Sequence, residues 1–99
     1  MMDECRRVGI FCRDVFWGKR VREELDKGDG TQFIVFPIID GEKILGAKGI
    51  DKAYVLDDVS YREILYLVQP CLKEKDGCIM IGDGNTWMNL SVILKLINI

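Results

Sequence analysis

The chain has 99 residues, 48% hydrophobic and 30% charged, so it can bury enough apolar surface to fold as one domain over residues 1–99 and is not a disordered tail. Its 14 basic and 16 acidic residues leave a net charge of −2, which excludes the strongly basic surface expected of general nucleic-acid binding. Long apolar runs and an apolar signal stretch are absent, so we expect a cytoplasmic, intracellular protein without membrane association.

Cysteine and histidine content limits the chemistry. The four cysteines form two pairs seven residues apart, a spacing that matches neither a zinc knuckle nor a redox Cys-x-x-Cys; they are Cys5, Cys12, Cys71 and Cys78. We therefore expect reduced thiols, with Cys12 and Cys78 in the core. Histidine is absent, which removes Ser-His and Cys-His catalysis within this chain.

The first strand and helix follow from local pattern. Residues 7–12 are a short apolar run typical of a strand buried on both faces. Asp14 can cap a helix that extends through Lys27. Apolar residues at four-residue spacing form its buried face, namely Trp17, Val21 and Leu25.

A second strand is predicted over residues 32–39, which are rich in β-branched and aromatic side chains. Pro37 indicates the end of this strand or a sheet edge. Residues 42–50 contain two glycines and are interpreted as an irregular hairpin or loop in which Ile44 and Leu45 contact the core.

Residues 52–58 predict a third buried strand, followed by the clearest helix start in the chain. Ser60 and Glu63 have the spacing of a capping box. The predicted helix has a wide apolar face, and Pro70 should kink it or end it; the face consists of Tyr61, Ile64, Leu65, Leu67, Val68 and Leu72.

The last third of the chain predicts a fourth strand at residues 78–81 and a glycine-rich turn at 82–85 that requires positive φ. The stretch from Trp87 to Ile99 is ambiguous, because residues 92–97 suit a buried strand by their β-branched side chains but also fit a short helix. A fifth strand is the favoured interpretation.

This order of elements predicts an α/β fold, a small two-layer or three-layer Rossmann-like or RecA-like domain with a mostly parallel sheet of four or five strands. With few helices, one sheet face would be thinly covered. An exposed apolar face, especially near the C-terminal segment, would favour a homodimer or another protein as partner.

Ligands of open α/β sheets bind beyond the carboxyl ends of the strands. The polar residues at these positions are the candidate ligand-binding residues, namely Asp14, Asp57, Asp58, Asp83 and Asn85. Alternatively, Asp57 and Asp58 have a purely structural role and end a strand, because aspartate is common in turns. Trp17 and Trp87 are expected in the core, or as interface anchors.

Two segments carry a family resemblance. Residues 54–58, Tyr-Val-Leu-Asp-Asp, resemble the Walker B element of RecA-like nucleotide hydrolases, and residues 81–85, Ile-Gly-Asp-Gly-Asn, are similar to the Gly-Asp-x-x-Gln motif of helicases. Over residues 7–85 the layout resembles the RecA-like ATPase core of viral DNA-packaging terminases, with a glycine-containing loop at 46–49 before the acidic strand. The resemblance implies a RecA-like fold and a viral origin.

The resemblance also implies magnesium ligands, because in that family the first acid of the strand holds the metal and the second activates water. Asp57 and Asp58 stand at these positions, although the second acid is usually glutamate, and Asn85 replaces the glutamine. The chain lacks a Walker A loop before its first strand, and phosphates need the amides and lysine of that loop. No cofactor is therefore predicted, and a magnesium ion at Asp57 and Asp58 is the alternative that the resemblance leaves open.

Two functions follow. The favoured one is a non-catalytic protein-interaction or regulatory module acting on a host or replication protein, in the host cytoplasm if the chain is viral. The alternative is a small magnesium-dependent nucleotide-binding protein or phosphohydrolase that uses Asp57 and Asp58. The missing phosphate loop and absent histidine favour the first and weigh against an enzyme.

Overall fold

A computed structural model describes residues 6–73 and 78–97. Five strands form one sheet in the order β2-β1-β3-β4-β5. The first four are parallel and β5 is antiparallel to β4, which confirms a mostly parallel sheet. The strands are β1 (Arg7–Cys12), β2 (Gln32–Pro37), β3 (Lys52–Leu56), β4 (Cys78–Gly82) and β5 (Trp87–Asn89).

Helical segments connect the strands and cover both faces of the sheet. The third of these helical segments, called the α3 segment, begins as an α-helix, continues as a π turn and ends as a 3₁₀ turn. The segments are α1 (Val15–Leu25), α2 (Gly41–Leu45) after a 3₁₀ turn (Ile38–Asp40), α3 (Tyr61–Glu63) with its π turn (Ile64–Val68) and 3₁₀ turn (Gln69–Cys71), and α4 (Leu90–Ile97).

The sheet separates two apolar cores. On one face, α1 supplies Val21 together with the flanking Trp17 and Leu25, and it is the sole helix there in the described part of the chain. The other face is covered by α2, the α3 segment and α4, through residues such as Ile44 and Val68. The thin helical cover predicted for one face is therefore seen on the α1 side.

Helix α1 begins where the sequence predicts. The carboxylate of Asp14 accepts hydrogen bonds from the backbone N–H groups of Phe16 (3.0 Å) and Trp17 (3.4 Å), as an N-cap does. The helix ends at Leu25, two residues before the predicted Lys27. Pro37 is both the last residue of β2 and part of an edge strand, as expected.

The loop predicted for residues 42–50 is partly wrong, because α2 forms a helical turn there. Ile44 is fully buried, as expected, whereas Leu45 is exposed. Neighbouring residues of a helix point in directions about 100° apart, so in this short turn Ile44 faces the core while Leu45 faces solvent.

The start of α3 is confirmed as a capping box. The Ser60 hydroxyl accepts the backbone N–H of Glu63 (3.2 Å), and the Glu63 carboxylate accepts the backbone N–H of Ser60 (3.0 Å). The predicted wide apolar face is wrong at Tyr61 and Leu65, which are exposed.

The sheet is contacted by one side of the α3 segment, and Ile64 and Val68 fill that side. The segment closes on a 3₁₀ turn that contains Pro70. Proline has no N–H to continue the helical hydrogen bonds, so this ending is the expected one.

The fifth strand favoured for residues 92–97 is wrong. The strand is the three-residue β5, and the segment after it is α4. The Asn89 side-chain oxygen accepts hydrogen bonds from the Ser91 backbone N–H (2.9 Å) and hydroxyl (2.7 Å), which favours a helix start. Leu90 and Leu94 then contact the core at helical spacing. Residues 98–99 lie outside the described ranges.

The core position predicted for Cys12 is confirmed, whereas Cys78, also predicted in the core, is not among the core residues. Cys12, Cys71 and Cys78 are free thiols; the first two are buried and Cys78 is partly buried. Cys5 lies outside the described residues. Within residues 6–73 and 78–97, no helix has the length and hydrophobicity needed to cross a bilayer.

Candidate functional site

The polar segments that follow the parallel strands meet at one edge of the sheet. Arg13 and Asp14 follow β1, Asp57 and Asp58 follow β3, and residues 83–85 follow β4. Because these three strands are parallel and adjacent, their carboxyl ends share this edge, as the sequence predicts.

Asp58 binds the chain's own backbone. Its Oδ2 atom accepts hydrogen bonds from the N–H groups of Arg13 (3.0 Å) and Asp14 (2.9 Å). In the first turn of α1, the amides of Phe16 and Trp17 donate to the Asp14 carboxylate. Two internal carboxylates therefore occupy the start of α1, where α/β proteins commonly bind a phosphate.

Arg13 closes the crevice between β1 and β3. Its Nε atom donates to the Asp58 carbonyl (3.2 Å), and its Nη2 atom donates to both carboxylate oxygens of Glu63 (2.5 and 2.6 Å). The hydrogen bond and the charge of Glu63 raise the Arg13 pKa. The hydrogen bond from Arg13, followed by that from the Ser60 backbone, lowers the Glu63 pKa. The loop after β1 is thus tied to the start of α3.

Asp57 lies beside this network with an exposed side chain. Its backbone N–H donates to the carbonyl of Gly82 at the end of β4 (3.0 Å). Among the described residues, no three His, Cys, Asp or Glu side chains lie close enough together to hold a metal ion. The Asp57 and Asp58 pair therefore has no third ligand of these types in that part of the chain.

One oxygen of the acid pair is buried without a partner. Asp58 Oδ1 has no hydrogen-bond donor among the described residues, whereas Oδ2 has two. A buried carboxylate oxygen is costly unless a donor or a cation compensates it.

The thiol of Cys12 lies below this edge of the sheet. Burial raises its pKa to about 11, and the negative charges of Asp58 and Asp14 add to the shift. Gly18 packs so closely that a β-carbon there would clash with the Cys12 sulfur. The thiol is therefore a core group and not a nucleophile.

A second part of the edge is a cleft of about 130 Å³ between α1 and the loop after β4. It brings together three of the residues singled out in the sequence, Trp17, Asp83 and Asn85. Asp83 Oδ1 accepts the backbone N–H groups of Asn85 and Thr86 (both 2.9 Å), and these bonds lower the Asp83 pKa.

The loop can approach Trp17 because Gly84 adopts a positive φ of 99°, as predicted for this turn. A β-carbon on Gly84 would lie 3.2 Å from the indole Nε1 atom. The cleft also includes Arg20 and Glu24, which the sequence interpretation missed. Their spacing of three and seven residues from Trp17 along a helix is the signal that could have found them.

Trp87 lies on the same face of the sheet as Trp17. Both pack against the α1-side core, and Trp87 contacts the ring of Tyr54 edge to face, with centroids 4.8 Å apart. The Lys52 ammonium group lies 4.8 Å from the centre of the Tyr54 ring. Trp87 is partly buried in this aromatic contact, and Trp17 lines the cleft.

The edge therefore has two separate parts, a crevice filled by Arg13 and Asp58 and a cleft beside Trp17. Asp14 and Asp58 lie in the first, and Asp83 and Asn85 line the second. A scan against protein-family models, a search of curated proteins and a search of solved structures each found no match to this chain.

Proposed function

We propose that this chain is a non-catalytic protein-interaction or regulatory module on a reduced RecA-like or Rossmann-like fold, acting on a host or replication protein. The observation that carries the proposal is that carboxylates already bind the amides around the start of α1. Asp58 accepts the two amides just before the helix, and Asp14 accepts two amides of its first turn. Nucleotide-binding α/β proteins use such amides as hydrogen-bond donors to the phosphates of the nucleotide. In this chain these donors already have anionic acceptors.

A phosphate at this position would have to displace Asp58. It would also approach Asp14 and Asp57, so its negative charge would meet like charges at short range. The side chain that could neutralise it, Arg13, is paired with Glu63. Electrostatics at the crevice therefore favour a structural role for these residues.

The cleft beside Trp17 is the surface best suited to a protein partner. Indole rings contribute strongly to protein interfaces because they combine a large apolar area with a hydrogen-bond donor. Around the ring lie side chains of both charges, Arg20, Glu24 and Asp83. An aromatic anchor within a polar rim is the usual composition of a protein interface.

The test is affinity capture from the native host, followed by mass spectrometry, with the wild type and two charge-reversal variants. Arg20→Glu changes a residue of the cleft, whereas Lys19→Glu makes the same change at an exposed neighbour on α1 that does not line it. We expect one stoichiometric partner with the wild type and Lys19→Glu, and its loss with Arg20→Glu. Failure to recover any stoichiometric partner with the wild type would contradict the proposal.

The alternative is a magnesium-dependent nucleotide-binding protein or phosphohydrolase that uses Asp57 and Asp58. The buried Asp58 Oδ1 atom without a donor is the observation that favours it, because a cation would compensate that oxygen. Calorimetry with magnesium and ATP distinguishes the two functions. Tight magnesium-dependent binding that disappears in the Asp57→Asn, Asp58→Asn double variant would support the alternative and overturn the interaction module.

A further inference from the structure

The cleft beside Trp17 is smaller than most small-molecule sites. Its volume is about 130 Å³, whereas such sites usually occupy about 300 to 1,000 Å³. One water molecule occupies about 30 Å³ in the liquid, so the cleft has room for about four waters or for the end of one long side chain. A protein partner that uses this cleft would therefore insert a single side chain.

The lining of the cleft is mostly polar, which disfavours an apolar side chain. Its apolar part is the Trp17 ring together with the buried Val21. The other side chains offer one guanidinium group, two carboxylates and one amide, and all four are exposed; they belong to Arg20, Glu24, Asp83 and Asn85. An inserted side chain therefore meets charged and polar groups around one indole ring.

The two carboxylates outnumber the one base of the cleft. Glu24 makes no ion pair within the part of the chain that the structure describes, although Arg20 stands four residues before it on α1. The N–H groups of Thr86 and Asn85 bind the Oδ1 atom of Asp83 and lower its pKa, so this carboxylate stays ionised. Its Oδ2 atom accepts no hydrogen bond from any described residue. The cleft therefore has a net negative charge, with carboxylate oxygens left for a cation.

The indole ring also favours a cation. The face of an aromatic ring attracts positive charge, and a guanidinium group can stack on it while it donates hydrogen bonds to a carboxylate. Gly84 brings the loop that carries Asp83 against the edge of the Trp17 ring, where a β-carbon on the glycine would lie 3.2 Å from Nε1. The ring and the Asp83 carboxylate are thus held on opposite walls of one cleft.

We propose that the cleft receives a basic side chain, arginine or lysine, from the protein partner. The inference rests on the proposed function, because it names the chemistry of the partner at the same cleft. An acidic side chain would meet two carboxylates and one base, and a neutral one would leave both carboxylates without a counter-charge. Arg20 remains available for a carboxylate of the partner beside the base, in agreement with the loss of the partner expected for Arg20→Glu.

Titration with short peptides, followed by NMR at the Trp17 indole N–H, tests the proposal without the native partner. The probes are acetyl-Gly-Arg-Gly-amide and the same peptide with citrulline, whose neutral urea group has nearly the shape of guanidinium. We expect millimolar arginine peptide to shift the signal, less so at high salt, and the citrulline peptide to leave it nearly unchanged. Because the chain has two tryptophans, Trp17→Phe identifies the signal.

Two single variants each remove one negative charge from the cleft and keep its shape. Glu24→Gln is nearly isosteric, and Asp83→Asn retains an oxygen for the amides of Thr86 and Asn85. Each should weaken binding of the arginine peptide by about threefold, as expected for one exposed charge pair. The matched control is Glu23→Gln, at an exposed residue of α1 that does not line the cleft, and it should bind like the wild type.

The wild-type comparison of the two peptides does not depend on any variant folding. No shift with the arginine peptide, or equal shifts with both peptides, would overturn the basic side chain as the occupant of the cleft. Equal affinity of the wild type and both cleft variants would overturn it too. None of these results touches the capture experiment, which decides separately whether the chain is an interaction module.

Discussion

Asp58 and Arg13 bind each other reciprocally, since the Asp58 carboxylate accepts the Arg13 backbone N–H at 3.0 Å and the Arg13 Nε atom donates to the Asp58 carbonyl at 3.2 Å. The two residues are 45 positions apart and follow β1 and β3, which are neighbours in the sheet. Their contact crosses the crevice in which open α/β sheets bind ligands. Because the chain's own residues bind each other across this crevice, we expect them to stabilise the fold.

Removing the Asp58 carboxylate should destabilise the fold. We expect Asp58→Ala to lower the free energy of unfolding by about 1 to 2 kcal/mol, because two backbone N–H groups lose a charged acceptor. The matched variant Asp57→Ala, at an exposed side chain, should change it by less than about 0.5 kcal/mol. Urea denaturation followed by circular dichroism measures both, and equal losses would contradict the structural role of Asp58.

Asp14 should behave as a helix cap. We expect Asp14→Ala to cost about 1 kcal/mol of unfolding free energy, because the amides of Phe16 and Trp17 lose their acceptor. Asp14→Ser retains an oxygen at the cap and should recover most of this loss. The measurement is again urea denaturation; a serine variant as unstable as the alanine variant would show that capping is not the role of this side chain.

The contact between Arg13 and Glu63 should make stability depend on pH. The pKa of Glu63 is lowered from 4.5 when folded, so its stabilisation is complete above that pH and is lost as pH falls through the folded pKa. Glu63→Gln removes the charge. The difference in unfolding free energy between wild type and variant should therefore be largest near neutral pH and shrink in acid, although solvent screening keeps it small. A difference that stays constant with pH would contradict this.

Cys12 should resist alkylation in the folded protein. Burial, with the charges of Asp58 and Asp14, raises its pKa to about 11, so the thiol stays protonated at mildly alkaline pH. Timed iodoacetamide labelling with mass spectrometry should modify the partly buried Cys78 before Cys12 and Cys71. All three should react once the chain is unfolded in denaturant. Labelling of native Cys12 as fast as Cys78 would show that the sulfur is accessible.

The elements predicted correctly depend on residues close together in the sequence. The caps at Asp14 and Ser60 each bind an amide within three positions, so their local pattern is sufficient to predict a helix start. The Asn89 side chain before the C-terminal segment is an equally local contact, since it binds the Ser91 amide two positions away, but the composition that follows it fits two structures. Residues 92–97 suit a strand or a helix by composition, and the Asn89 side chain together with the contacts of Leu90 and Leu94 decides for the helix.

The order of apolar runs and turns was enough to predict the parallel sheet, because each strand is recognisable from a few consecutive residues. The same order placed the polar residues after the strands at one edge, namely Asp14, Asp57, Asp58 and residues 83–85. Only the tertiary structure decided how this edge divides. The pairing of β1 with β3 brings Arg13 onto Asp58, and the packing of α1 brings Trp17 onto Gly84. Such contacts depend on strand register and helix position, which are set by the packing of the whole core and not by neighbouring residues.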